Sequence, residues 1–259
     1  MKNQFVCCAA ALVLSCCTHE NKPENKVAAA DTLQYKNQVK TNTYRNCMPD
    51  SLPCTFVRYY YPVFQNVESP LADSLRVLQA RVFEVPLGTE QELDSARAAF
   101  IDEYAALCAG TDPVTVPWNM ETSLSVIQQN ARWICLEESS GGYTGGAHDF
   151  GFSQYHLLEK ATGRHLHLAD FFDSTSLVKL TRLGESAFCE ARGIQDNQSL
   201  EEAGFTFDDN RFFLPENFCF RQEGLAFIFN SYEVAPYVLG PTEFMIPASK
   251  LVGLMKKSK

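Results

Sequence analysis

What most constrains the fold of this chain is a repeated change of hydrophobic spacing that never settles into a fixed period. Leu71, Leu75, Leu78 and Val82 recur three and four residues apart, the face of a helix. Thr89 to Cys108 is a second helix, with Thr89 and Glu92 placed as a capping box and Gly110 just past its end. A third begins at Ser174, with Leu177, Leu180, Leu183, Ala187 and Ala191 inward. Between and after these lie short aromatic and β-branched runs that read as strands. They are Thr55 to Phe64, Trp118 to Gln129, Ala131 to Glu138 and Gly151 to Glu159, then Arg211 to Leu214, Asn217 to Arg221, Leu225 to Asn230 and Glu243 to Ile246. The segment from Gly141 to His148 interrupts the strands, and Lys160 to Gly163 is a hairpin turn into His165-Leu166-His167-Leu168. Pro247 starts a short closing helix through Met255. Single strands do not alternate with single helices, so the expected class is α+β, a mainly antiparallel sheet with helices packed on it.

The first residues give an address. Lys2 precedes an apolar run from Phe5 to Leu14, too short to cross a bilayer and of the length of a secretory h-region. Val13-Leu14-Ser15-Cys16 follows, which resembles the bacterial lipobox, with Cys17 as an alternative acceptor. Residues 1–15 are therefore expected to be a lipoprotein signal peptide, and Cys16 the lipidated residue. Residues 16–45 are polar, with almost no bulky aliphatics, and read as a flexible tether. The folded part is expected to comprise halves at 46–145 and 146–259, anchored at the envelope, on the periplasmic or the outer face. No later stretch is apolar enough to span a membrane.

Six cysteines fall in the folded part: Cys47, Cys54, Cys108, Cys135, Cys189 and Cys219. An even number outside the cytosol invites disulfides. Cys47 with Cys54 is the expected pair, because the prolines and Asp between them favour a turn that closes the loop. The other four read as further pairs or as small buried hydrophobes. No Cys-x-x-Cys follows the signal, so a zinc ribbon is not expected. Thirty-one acidic against 22 basic residues give a formal charge of −9. That disfavours nucleic acid, whose binding rests on Lys and Arg, and favours a basic partner.

Three further segments come in order: Tyr143-Thr144-Gly145-Gly146-Ala147-His148; the turn Ala161-Thr162-Gly163-Arg164 before Leu166, Leu168 and Asp170-Phe171-Phe172; and Tyr232-Glu233-Val234-Ala235-Pro236-Tyr237 with Gly240, followed by Phe244-Met245-Ile246-Pro247. Together with Tyr60-Tyr61-Pro62-Val63-Phe64 they resemble the RsiV/PdaC-like extracytoplasmic domain family, over most of residues 50 to 256. The resemblance implies a binding module: in the anti-sigma factor RsiV the domain grips lysozyme, and in PdaC it accompanies a peptidoglycan deacetylase. Neither a spanning helix and sigma-binding segment nor the deacetylase's His-x-x-x-His is recognised here. What the resemblance leaves is recognition of lysozyme or peptidoglycan, with Tyr143, His148, Tyr232, Glu233, Pro236 and Tyr237 as the expected contact residues.

Catalytic readings are weaker. His148, His156, His165 and His167 lie within twenty residues, and His165 and His167 share one face of a strand. With His148 or Asp149 they define an alternative, a metal-assisted envelope hydrolase. The glycine-rich segment has no Gly-Lys-Ser/Thr and opens no helix, and no Gly-x-Ser-x-Gly appears. Glu137, Glu138, Asp149, Asp170 and Asp173 offer carboxylates for glycosidic chemistry, but any acidic α+β chain does so by chance. The expectation is a non-catalytic binding module without cofactor or bound metal.

Overall fold

The computed structural model describes residues 32–49, 53–110 and 116–256. The expected signal peptide and the lipidated Cys16 lie outside them. Among the described residues no helix is long and apolar enough to cross a membrane. The architecture is α+β, built on two mainly antiparallel sheets.

Strands β1 (Gln34–Thr43) and β2 (Phe56–Gln65) pair antiparallel. Helices α1 (Leu71–Val82) and α2 (Glu90–Cys108) then carry the chain across to β3 (Asn119–Gln129), which runs parallel to β2. β4 (Trp133–Tyr143) and β5 (Phe150–Glu159) complete a sheet of order β1-β2-β3-β4-β5. A short α3 (Leu168–Phe171) leads into α4 (Ser174–Arg192). The second sheet is β6 (Phe218–Phe220), β7 (Gly224–Phe229) and β8 (Thr242–Pro247), closed by α5 (Ala248–Leu251).

The long helices α1, α2 and α4 form where their sequence patterns place them. The α1 residues Leu71, Leu75, Leu78 and Val82 are all buried. They meet Val57, Tyr59, Tyr61, Leu124, Ile134 and Leu136 on one face of the first sheet. At the start of α2, Thr89 and Glu92 close the capping box, satisfying two orphan amides at 3.3 and 3.0 Å. The other face of the first sheet is only half covered. Its Trp133, Cys135, Tyr155 and Leu157 join a second core with the second sheet and α4. Phe188 of α4, fully buried, sits there with five phenylalanine rings between 4.9 and 5.9 Å away.

Among the described residues there are two disulfides. Cys47–Cys54 is the expected pair, and Cys135–Cys219 ties β4 to β6. Cys189 stays a thiol.

Four expectations need correction. Residues 34–43, expected in the tether, form β1, because an edge strand is held by main-chain bonds and can keep polar side chains wet. Tyr35 packs on Phe64 at 5.6 Å and Lys40 pairs with Glu90 at 2.8 Å, so the folded part begins well before residue 46. Gly141 to Tyr143 do not interrupt the sheet; they are the end of β4. A Cβ at Gly142 would lie 2.1 Å from the Asn119 carbonyl, so glycine permits the close approach of β3. His165 to Leu168 make only an isolated bridge, Leu158 to His165, before α3 begins. Arg211 to Leu214 is not a strand: Phe212 and Leu214 turn into the second core as loop residues.

Candidate functional site

Because the second sheet covers only one end of β3, β4 and β5, the rest of that face is open. The uncovered part is a groove of about 1320 Å3. Its floor is made of small and hydroxylated residues, among them Ser123 of β3, Ser139 and Gly141 of β4, and Gly151 and Ser153 of β5. Tyr60, Tyr143 and Tyr237 line it as aromatics, and one wall is the segment from Tyr237 to Pro241.

Two asparagines set that wall in place. Asn217, just before β6, accepts from the Tyr155 amide at 2.8 Å and donates to the Ser153 carbonyl at 2.8 Å. Asn230, just after β7, accepts from the Ser153 amide at 2.8 Å and donates to the same carbonyl at 2.9 Å. The free edge of β5 is thus paired by side-chain amides that imitate a neighbouring strand. They also fix the second sheet, and the loop after Asn230, against the groove.

The first and last motif segments meet at the groove mouth. The His148 ring stacks on Tyr237, with centroids 4.1 Å apart and planes at 22°. Tyr237 donates its hydroxyl to an Asp149 carboxylate oxygen at 2.8 Å, and that bond raises the phenol's pKa. His148 Nδ1 donates to the Asp149 carbonyl at 2.6 Å. Tyr232 lies exposed 5.7 Å from the Tyr237 ring, and Tyr143 ties its own loop by donating to Gly146 at 2.9 Å. Of the expected contact residues, His148, Tyr232 and Tyr237 form one aromatic group, and Tyr143 lines the same groove. Glu233 and Pro236 are exposed beside it, with Glu233 accepting from Asn230 at 3.2 Å. The middle motif is a brace: Arg164 grips Asp170 with two bonds of 3.0 Å and holds its carboxyl below the usual range. Gly163, at φ +68°, lies where a Cβ would strike Ser74 and Pro70.

The carboxylates of the groove differ in their partners. Glu121 pairs with Arg58 at 3.3 Å, and Glu243 with Arg221 at 2.9 Å. Arg221 also donates to the buried Tyr155 hydroxyl, whose pKa burial drives far up. Glu137, beside them on β4, has no hydrogen-bond or ion-pair partner among the described residues. Burial and the charge of Glu243 raise its pKa, against the pull of Arg221. The sequence marks Glu137 only as one of five candidate carboxylates, because a Glu on a strand looks like any solvated one.

The histidine alternative is not supported by the geometry. His156 is buried and donates to Glu138 at 2.8 Å, with the Arg81 guanidinium 3.2 Å from its ring. His165 lies 6.0 Å from that ring, its pKa lowered by partial burial and by His156 and Arg81. His167 instead meets Glu216 at 3.1 Å, and His148 stands at the groove mouth. Among the described residues no three His, Cys, Asp or Glu side chains are grouped to hold a metal ion. His165 and His167 line one hollow together with His156 and Glu216, but each has a different neighbour there.

Residues 169–249 match the family described as "Protein of unknown function (DUF3298)". The third motif, Tyr232 to Pro247, falls inside this region, and Tyr143 to His148 precede it. Two solved structures share the fold. One is a DUF3298 family member from Bacteroides fragilis NCTC 9343, 19% identical, with a TM-score of 0.66 over 88% of this chain and 95% of that one. The other, a DUF3298 family protein from Pseudomonas aeruginosa PAO1, is 17% identical, with a TM-score of 0.60 over 88% and 96%. No curated protein matches the chain. The region that matches this family holds the groove wall and the second sheet.

Proposed function

We propose that this protein is a non-catalytic, lipid-anchored binding module of the RsiV/PdaC-like kind that recognises lysozyme or peptidoglycan at the cell envelope. The observation that carries this reading is the stacking of His148 on Tyr237, which joins two separated motifs at the mouth of an open groove. Rigid aromatics at such a mouth give contact area at little entropic cost. Of the two ligands, the groove favours the glycan of peptidoglycan. Its serine and glycine floor offers hydroxyls and room for a sugar ring, and its tyrosines offer faces for C–H stacking. Lysozyme is the reading favoured by the net charge of −9 alone.

Calorimetric titration of the purified full chain with muropeptides, and in parallel with basic lysozymes, tests this. The expected result is saturable binding of muropeptides that survives physiological salt and is lost or strongly weakened in Tyr237→Ala. Binding of either ligand that disappears with added salt would reduce the attraction to net charge. Lysozyme binding with the same Tyr237 dependence, without muropeptide binding, would move the partner from glycan to protein.

A further inference from the structure

Among the described residues that line the groove, Glu137 is the one carboxylate with neither a hydrogen-bond nor an ion-pair partner. Glu121 has Arg58, Glu243 has Arg221, and Asp149 receives the Tyr237 hydroxyl. Glu137 is half-buried between Ser125 on β3 and Tyr155 on β5, and it lines the groove. Holding a carboxylate out of water without a partner is unfavourable, so such a group persists where something else completes it.

The neighbours narrow what that is. Arg221 is already spent on Glu243 and Tyr155, and its Nε has no partner. It acts on Glu137 through its charge and makes no hydrogen bond or ion pair with it. A neutral sugar hydroxyl would give Glu137 one hydrogen bond and no charge. An ammonium group gives both, and charge-assisted bonds are about twice as strong as neutral ones. The small residues Ser123 and Ser139, paired across β3 and β4 beside Glu137, leave room for a sugar ring to bring that group down to the floor.

We propose that Glu137 makes the groove selective for a glycan that carries a free amino sugar over its N-acetylated counterpart. This rests on the glycan reading of the groove and adds a chemical preference to it.

The test titrates the full chain with glucosamine oligomers and with N-acetylglucosamine oligomers of equal length. It uses physiological salt and a pH that keeps the amine charged. The amino oligomer should bind at least about tenfold more tightly, the factor expected of one hydrogen bond to a charged group. Glu137→Gln should abolish that preference while leaving residual binding of both oligomers. Glu190→Gln on α4, away from the groove, removes the same net charge and should leave the preference intact. Equal binding of the two oligomers to the native chain overturns the preference but not the glycan reading. Failure of both oligomers, with a basic lysozyme still bound, overturns the glycan reading and the preference with it. A preference that survives Glu137→Gln, or that Glu190→Gln reduces as much, also overturns it. Thermal melts of the variants keep the outcome readable, since a folded Glu137→Gln protein is expected.

Discussion

At its start β4 turns Trp133 and Cys135 toward the second sheet, where both are buried, and Cys135 is bonded to Cys219. Further along, the same face of the same strand carries Glu137, Ser139, Gly141 and Tyr143, and among the described residues the wall of the groove is what stands beside them. Backbone pairing continues on both sides of β4 along this whole length. The sheet is therefore paired at both ends, with one irregularity between Val126 and Gln128 at the covered end, and what sets the ends apart is the covering. Large apolar residues at the covered end anchor the second sheet. Small polar ones at the open end add little to stability and leave a surface available for a ligand.

The largest effect should come from the covered end. Phe188→Ala removes a fully buried ring that five others touch, and should cost about 3–5 kcal/mol in urea denaturation. Ser139→Ala at the open end should change stability by no more than about 0.5 kcal/mol. If Ser139→Ala cost as much as a core truncation, the open end would be structural and the contrast would fail.

A middle-sized effect belongs to the join between the two regions. Asn217→Ala or Asn230→Ala each strips β5 of two hydrogen bonds, for about 1–3 kcal/mol. Hydrogen exchange should show the Ser153 amide losing protection in Asn230→Ala and the Tyr155 amide in Asn217→Ala. Unchanged protection at both would mean that the second sheet holds its place without these amides.

Much of this arrangement could be read from local pattern, and the exceptions share a cause. The leucines of α1, the Thr89–Glu92 box and the turn at Gly163 are legible because each is decided within a few residues. β1 was not, since its polar sequence is held by β2 and not by its own burial. The Cys135–Cys219 bond is illegible for the same reason: its halves are 84 residues apart and meet only through the second core. At the site, the aromatic mouth could be anticipated from Tyr143, His148, Tyr232 and Tyr237. The floor could not. Serines on β3 and β4 have the pattern of an ordinary wet sheet face, and only the segment after Asn230 turns that face into a groove.

The smallest effect should appear at the boundary between the two ends, where Glu137 stands. Burial raises its pKa in the folded protein, so near and above the ordinary value of 4.5 the native chain holds more protons there than the unfolded chain. Stability then falls as pH rises through the window from that value to the raised one, and the cost is complete above it. Glu137→Gln removes the ionisation and should flatten this part of the stability–pH curve, with a gain near neutrality of well under about 1 kcal/mol. Denaturant midpoints of the native and variant chains across the acid range would show it. A variant less stable than the native protein near neutrality would mean that the carboxylate supports the fold. The same substitution is expected to remove the amine preference, so a neutral or stabilising result sets the two roles of this position apart: what Glu137 costs the fold is what keeps it available to a ligand.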